Sequence, residues 1–213
     1  PLKFGVAGAG VMGRNHARVL SELRDVELTT IFDPDAVTAE GVAEAYGATA
    51  VTTAQAFVAA GLDAAVIATP NRFHAELGVA LLNAGVHVLV EKPIAATTAD
   101  AQAMIDAARA NNRVLMVGHV ERFNPVLHAL EAQLKNPRFL EVTRLSPFPN
   151  RSTDIGVVLD LMIHDLDLIL SLIDSPITNI RASGRRVLVQ HEDLAIADLE
   201  FQNGARAHLR ASR

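Results

Sequence analysis

Short runs of apolar residues alternate with segments of helical period over the first 120 residues. The runs Leu2–Ala7, Val26–Phe32, Thr49–Val51, Ala64–Ala68, His87–Val90 and Val114–Val117 are rich in Val, Ile and Leu and nearly continuous. Such runs predict strands covered on both faces. Between them, Val11–Leu23, Asp35–Tyr46, Ala54–Ala60, Phe73–Ala84 and Thr98–Asn111 repeat apolar positions at helical spacing. Gly47, Gly61 and Gly85 follow three of these segments, where a left-handed C-cap is wanted. Six strands with crossover helices predict an α/β fold with a doubly wound parallel sheet.

The pattern changes near residue 120, and Pro125, Pro137, Pro147 and Pro149 punctuate the next stretch of chain. A helix is predicted over Pro125–Leu134, a strand over Phe139–Leu145 and a strongly apolar helix over Val157–Ile173. Further strands are predicted at Ile177–Ser183, Leu194–Phe201 and Ala205–Ala211, the last two joined by the hairpin signal Asn203-Gly204. The reading is two domains, 1–120 and 121–213, the second α+β with a mostly antiparallel sheet. A few strands and one helix make a thin layer, so this sheet is expected to be incomplete and the native chain to continue beyond Arg213.

Composition narrows the function. Half of the 213 residues are hydrophobic and a fifth are charged, which supports a sizeable core. A net charge of -5, no Trp and one Tyr argue against nucleic-acid binding. The absence of Cys excludes disulfides, thiolate metal sites and Cys nucleophiles. No uncharged apolar run reaches the roughly 18 residues a membrane span needs. The N-terminus reads as a strand rather than a signal peptide, and a cytoplasmic protein without a membrane partner is expected.

Gly8-Ala9-Gly10-Val11-Met12-Gly13 follows the first strand and opens the first helix. Gly8 permits a tight turn, Gly10 lets the backbone approach a pyrophosphate, and Gly13 allows close helix–strand packing. The helix N-terminus supplies amide donors to phosphate. Asp33 ends the second strand, placed to accept hydrogen bonds from ribose hydroxyls and to repel a 2′-phosphate. No Arg follows it in Asp33-Pro34-Asp35, so NAD is favoured over NADP. The alternative is a set of turn glycines and a helix-capping Asp.

Strand five ends in Glu91-Lys92-Pro93, at the sheet edge where ligands bind in such folds. A Lys there either reaches a substrate or is an exposed residue beside a strand-ending Pro. In the apolar helix, Asp160, His164, Asp167 and Ser171 stand at i, i+4, i+7 and i+11, one face of a regular helix. That stripe is either a solvent face or a set of groups that bind a hydroxyl and exchange its proton. Asp160 and His164 find no third ligand by spacing, so no metal is expected. His119 and Arg122 leave the sixth strand toward the crevice edge, and the other histidines read as packing or surface residues.

Taken together, Gly8–Gly13, Ala68-Thr69-Pro70-Asn71 with His74, Glu91-Lys92-Pro93, Arg122-Phe123-Asn124-Pro125 and Asp160-x-x-x-His164-x-x-Asp167 resemble the glucose–fructose oxidoreductase / inositol dehydrogenase family. The resemblance implies a Rossmann domain and a second domain whose sheet commonly builds a homo-oligomer interface. It implies that Lys92, Asp160 and His164 are the catalytic trio. It also implies that Thr69, Pro70, Asn71, His74, Glu91, Lys92 and Arg122 line the cofactor, beside Gly8, Gly10, Val11, Met12, Gly13 and Asp33. The segments 118–125 and 158–167 are similar to the branch that oxidises the 3-hydroxyl of UDP-N-acetylglucosamine. Inositol or another sugar as substrate, and a non-catalytic NAD-binding sensor or scaffold, are the alternatives.

Overall fold

The computed structural model describes residues 1–130, 133–147 and 155–213. They divide into two compact units, Pro1–Gly118 and His119–Arg213.

The first unit alternates strands and helices. In chain order these are β1 (Leu2–Ala7), α1 (Val11–Glu22), β2 (Val26–Phe32), α2 (Ala36–Tyr46), β3 (Thr49–Val51), α3 (Ala54–Val58), β4 (Ala64–Ile67), α4 (His74–Asn83), β5 (His87–Val90), α5 (Thr98–Ala110) and β6 (Leu115–Val117). The strands form one sheet in the order β3-β2-β1-β4-β5-β6, and every pairing in it is parallel. Side-chain alternation divides the apolar residues between two layers. Val6, Ile31 and Val66 pack with Ala17, Leu20 and Val42 on one face. Ala7, Ile67 and Val90 pack with Phe57, Leu81 and Met104 on the other. The helices start where side chains cap them. Asp35 accepts from Thr38 N at 2.7 Å, Thr53 from Ala56 N at 3.2 Å and Thr97 from Asp100 N at 3.1 Å. The expected αL residue at the end of α2 is Gly47, with φ of 69°. Gly61 and Gly85 also have positive φ but lie past Ala59 and Ala84, which close α3 and α4.

The second unit contains α6 (Pro125–Leu130), β7 (Phe139–Leu145), α7 (Ile163–Leu172), β8 (Ile177–Arg185), β9 (Leu194–Phe201) and β10 (Arg206–Ser212). Residues 131–132 of the predicted helix Pro125–Leu134, and Pro149, lie outside the described residues. The sheet runs β7-β10-β9-β8, antiparallel at β10–β9 and β9–β8 and parallel at β7–β10. Gly204, with φ of 81°, turns the hairpin, and Asn203 Oδ1 accepts from Ala205 N at 3.0 Å. Ala195, Ala197, Leu199, Ala207, Leu209 and Ala211 form a core with Met162, Ile169 and Ile173.

The long apolar helix departs from its expected form. Val158–Met162 is a π-helical turn, and only from Ile163 is the helix α. The wider turn breaks the 3.6-residue phase on which the expected polar stripe rested. Asp160 pairs with Arg213, Asp167 pairs with Arg122, and Ser171 is exposed and donates to the Leu168 carbonyl at 2.7 Å.

A residue outside that stripe is the most buried acid on the helix. Asp165 is 2% exposed and takes a forked contact from Arg144, Nε at 3.0 Å and Nη2 at 2.7 Å. The hydrogen bond and charge of Asp165 outweigh burial and hold the Arg144 guanidinium above its ordinary range. Removing one partner strands the other in a poorly hydrated site, at about 3 kcal/mol for a pair that keeps some solvent contact. Asp165→Ala should lower unfolding free energy by that amount in a denaturant titration. A loss below about 1 kcal/mol would mean that water replaces the carboxylate.

Candidate active site

The glycine turn is built by close backbone contacts. Gly8 has φ of +90°, and its amide donates to the Phe32 carbonyl at 2.7 Å. A Cβ on Gly8 would lie 2.6 Å from the Ala68 carbonyl oxygen, and one on Gly13 would lie 1.6 Å from that of Gly8. Gly13 thus lets α1 rest directly on the end of β1. Above Gly10 nothing lies within 4 Å of the Cβ position. Among the described residues no side chain caps α1, and no acid stands in its first turn. Val11 and Met12 are exposed at 66% and 42%. Open space, uncapped amides and the positive end of a 12-residue helix fit a pyrophosphate.

Asp33 stands at the end of β2, half-buried. Its Oδ2 accepts from the Ala9 amide at 2.9 Å and its Oδ1 from the Asp35 amide at 3.0 Å. One amide on each oxygen fixes the carboxylate beside the glycine turn and leaves lone pairs for hydroxyl donors. The residues present therefore fit an adenosine ribose as well as the phosphates.

The loops after β4 and β5 are held by one histidine. His74 is 1% exposed, with Nδ1 2.9 Å from the Pro93 carbonyl oxygen and Nε2 2.8 Å from that of Thr69. Both ring nitrogens face the backbone, so His74 ties the two loops together. The Thr69 hydroxyl is buried without a hydrogen-bond partner among the described residues. Pro70 is exposed and Asn71 half-buried, at the start of a short 3-10 turn.

Lys92 follows β5, is half-buried, and precedes Pro93 through a cis peptide bond. The neighbouring Glu91 is 8% exposed. Its Oε1 lies 2.7 Å from His16 Nε2, and its Oε2 accepts from the Lys92 amide at 3.2 Å. Burial pushes the Glu91 carboxyl up. The His16 contact and charge, the Lys92 amide and the Lys92 charge outweigh it and hold the carboxyl below its ordinary value. The sequence offered no reason to single out His16. The pairing joins positions 75 residues apart, which no local spacing encodes.

In the second unit, Arg122 lies in the 3-10 turn Val120–Phe123. It grips Asp167 with Nε at 2.7 Å and Nη2 at 2.6 Å. Expected to line the cofactor, it has those two nitrogens committed to Asp167. Asp160 accepts from Arg213 Nη1 at 3.1 Å, and Arg213 Nη2 also donates to the Ile155 carbonyl. His164 is half-buried. The Asn124 hydrogen bond, against burial and with help from Arg144 and His164, lowers the Glu121 carboxyl, so His164 lies within electrostatic reach of an anion. Of the expected trio, Lys92 belongs to the first unit, and Asp160 and His164 to the second.

Residues 2–119 match an oxidoreductase family with an NAD-binding Rossmann fold, and residues 127–213 match the C-terminal domain of the same GFO/IDH/MocA family. The chain belongs to this family. It is 38% identical over 213 residues to UDP-N-acetylglucosamine 3-dehydrogenase of Acidithiobacillus ferrooxidans, across 100% of this chain and 67% of that protein. To inositol 2-dehydrogenase of Rhizobium meliloti it is 31% identical over 206 residues, across 92% of this chain and 61% of the relative. A solved structure of UDP-N-acetylglucosamine 3-dehydrogenase from Acidithiobacillus ferrooxidans matches with a TM-score of 0.93 at 38% identity, covering 100% of this chain and 70% of that one. The first unit is the family's NAD-binding domain, and its strand order is the Rossmann order. Among the described residues no helix is long and apolar enough to cross a membrane.

Proposed function

We propose that this protein oxidises a secondary hydroxyl of a nucleotide sugar, the 3-hydroxyl of UDP-N-acetylglucosamine, with NAD as acceptor. The observation that carries the reading is the carboxyl edge of the first sheet. There an open, uncapped glycine turn and a fixed Asp33 share one edge with Lys92 at the tip of β5. The 38% identity to a protein named for that reaction supports the sugar.

NAD, when bound, supplies the hydride acceptor. The amides at the start of α1 hold its pyrophosphate, and Asp33 accepts its ribose hydroxyls. By the family resemblance Lys92 and His164 act on the reacting hydroxyl: His164 takes its proton and the Lys92 ammonium stabilises the developing oxyanion, or the two exchange these roles. Asp160, held by Arg213, orients the sugar. On the second unit's sheet, the paired residues Asp198 and His208, and Glu200 and Arg206, put opposite charges side by side. Association with a second copy through this sheet is what the family resemblance implies.

The test is NADH formation with UDP-N-acetylglucosamine, other nucleotide sugars and inositols. Turnover is expected with the first, and NADP should serve at least about tenfold worse because Asp33 repels its 2′-phosphate. Turnover with inositols alone would replace the nucleotide sugar. Tight NAD binding without NADH from any sugar would reduce the protein to a binding module.

A further inference from the structure

We propose that His16 is a positioning residue for Lys92, acting through the Glu91 carboxylate. This rests on the dehydrogenase reading and adds a residue to its machinery. The contact set is short and enclosed. His16 Nε2 meets Glu91 Oε1 at 2.7 Å, with side chains 19% and 10% exposed. The second oxygen of the same carboxylate receives the Lys92 amide at 3.2 Å. Behind the carboxylate lies Gly118, where a Cβ would stand only 3.2 Å from Oε2. Glu91 is thus confined by α1, by its own strand end and by the residue that follows β6.

This arrangement links two parts of the cofactor edge. His16 lies on the helix whose first turn holds the glycine loop, and Glu91 fixes the main chain that presents the lysine. A buried carboxylate without its charged or hydrogen-bonded partner seeks water. With Gly118 closing one side, Glu91 can reach solvent only by turning away, and it then releases the Lys92 amide. The lysine side chain loses its fixed origin, and an ammonium displaced from a developing oxyanion loses most of its effect.

The chain has three lysines, Lys3, Lys92 and Lys135. Reductive 13C-methylation therefore yields few NMR signals, and Lys92→Arg identifies the one from Lys92. His16→Leu should move the Lys92 signal and leave the Lys3 signal in place. His16→Gln, whose amide nitrogen can donate as Nε2 does, should restore it. Glu91→Gln keeps the shape without the charge and should move it as His16→Leu does. In turnover, His16→Leu should lower kcat on the order of tenfold to a hundredfold, with KM for NAD within about twofold. An unmoved Lys92 signal in both His16→Leu and Glu91→Gln would overturn the proposal. So would a raised KM for NAD at unchanged kcat, which would place His16 in service of the glycine turn alone. If His16→Leu does not fold, Glu91→Gln decides by the same signal. The signal needs no turnover, so failure of the dehydrogenase reading (no sugar-dependent NADH from the wild type) is seen separately.

Discussion

Gly13→Ala is expected to lose both stability and NAD binding, while Gly10→Ala is expected to lose only NAD binding. The two glycines lie three residues apart and meet different surroundings. A methyl at Gly13 would sit 1.6 Å from the Gly8 carbonyl oxygen, and both groups belong to the backbone. Relief requires α1 to lift from β1, which opens the core around Val6 and Ala17. Overpacking typically costs 1–3 kcal/mol, and a clash between two main-chain segments belongs at the upper end, about 3 kcal/mol. In a chain of 213 residues that lowers Tm by about 6–12 °C. At Gly10 the added methyl meets nothing within 4 Å, and φ of -71° suits any residue. Its Tm should stay within about 2 °C of the wild type. The methyl would instead occupy the space through which a pyrophosphate approaches, and Kd for NAD should rise by about tenfold or more. Thermal melts and calorimetric titration with NAD check both halves. Equal loss of Tm in the two variants would show that Gly10 serves the fold and not a ligand.

Lys92→Ala is expected to lower kcat by about 10²–10⁴ with little change in Tm or in Kd for NAD. The lysine is half-buried at a strand tip, outside the packed layers of the sheet, so truncation opens no core cavity. Its contribution is charge at the reacting oxygen, which matters in the transition state and little in the ground state. Lys92→Arg keeps a cation but spreads it over a planar group and should recover only part of the rate. His164→Ala should give a comparable loss with Tm retained. Turnover by Lys92→Ala within about threefold of the wild type would remove the lysine from the mechanism and leave His164 as the sole group acting on the hydroxyl.

The extent to which the site could be read from the chain differed by residue. The glycine turn and the place of Asp33 beside it were legible because they are local: a strand, a turn, a helix and the next strand's end lie within 33 residues. Lys92 was legible from its place at a strand end. The helix of the second unit was legible as a helix but not as a π turn followed by an α helix. Regular spacing predicts Asp160, His164, Asp167 and Ser171 on one face; the π turn changes that spacing, and the arginines that meet Asp160 and Asp167 come from distant positions. The burial of Asp165 is not legible, since an acid between His164 and Leu166 looks the same in sequence whether it faces water or Arg144. The tie that His74 makes between two loops is not legible in the sequence, since burial brings the Thr69 and Pro93 carbonyls to its ring.

The sequence by itself carried the strand and helix succession of the first unit, the change of pattern near residue 120 and the glycine turn of an NAD-binding domain. Each of these depends on periodicity or on residues close together along the chain. The tertiary structure alone decided the ion-pair partners of these buried and half-buried acids: His16 for Glu91, Arg144 for Asp165, Arg122 for Asp167 and Arg213 for Asp160. A buried charge takes whichever opposite charge the packing of distant elements brings within about 3 Å, and no pattern of neighbours in the chain records that choice.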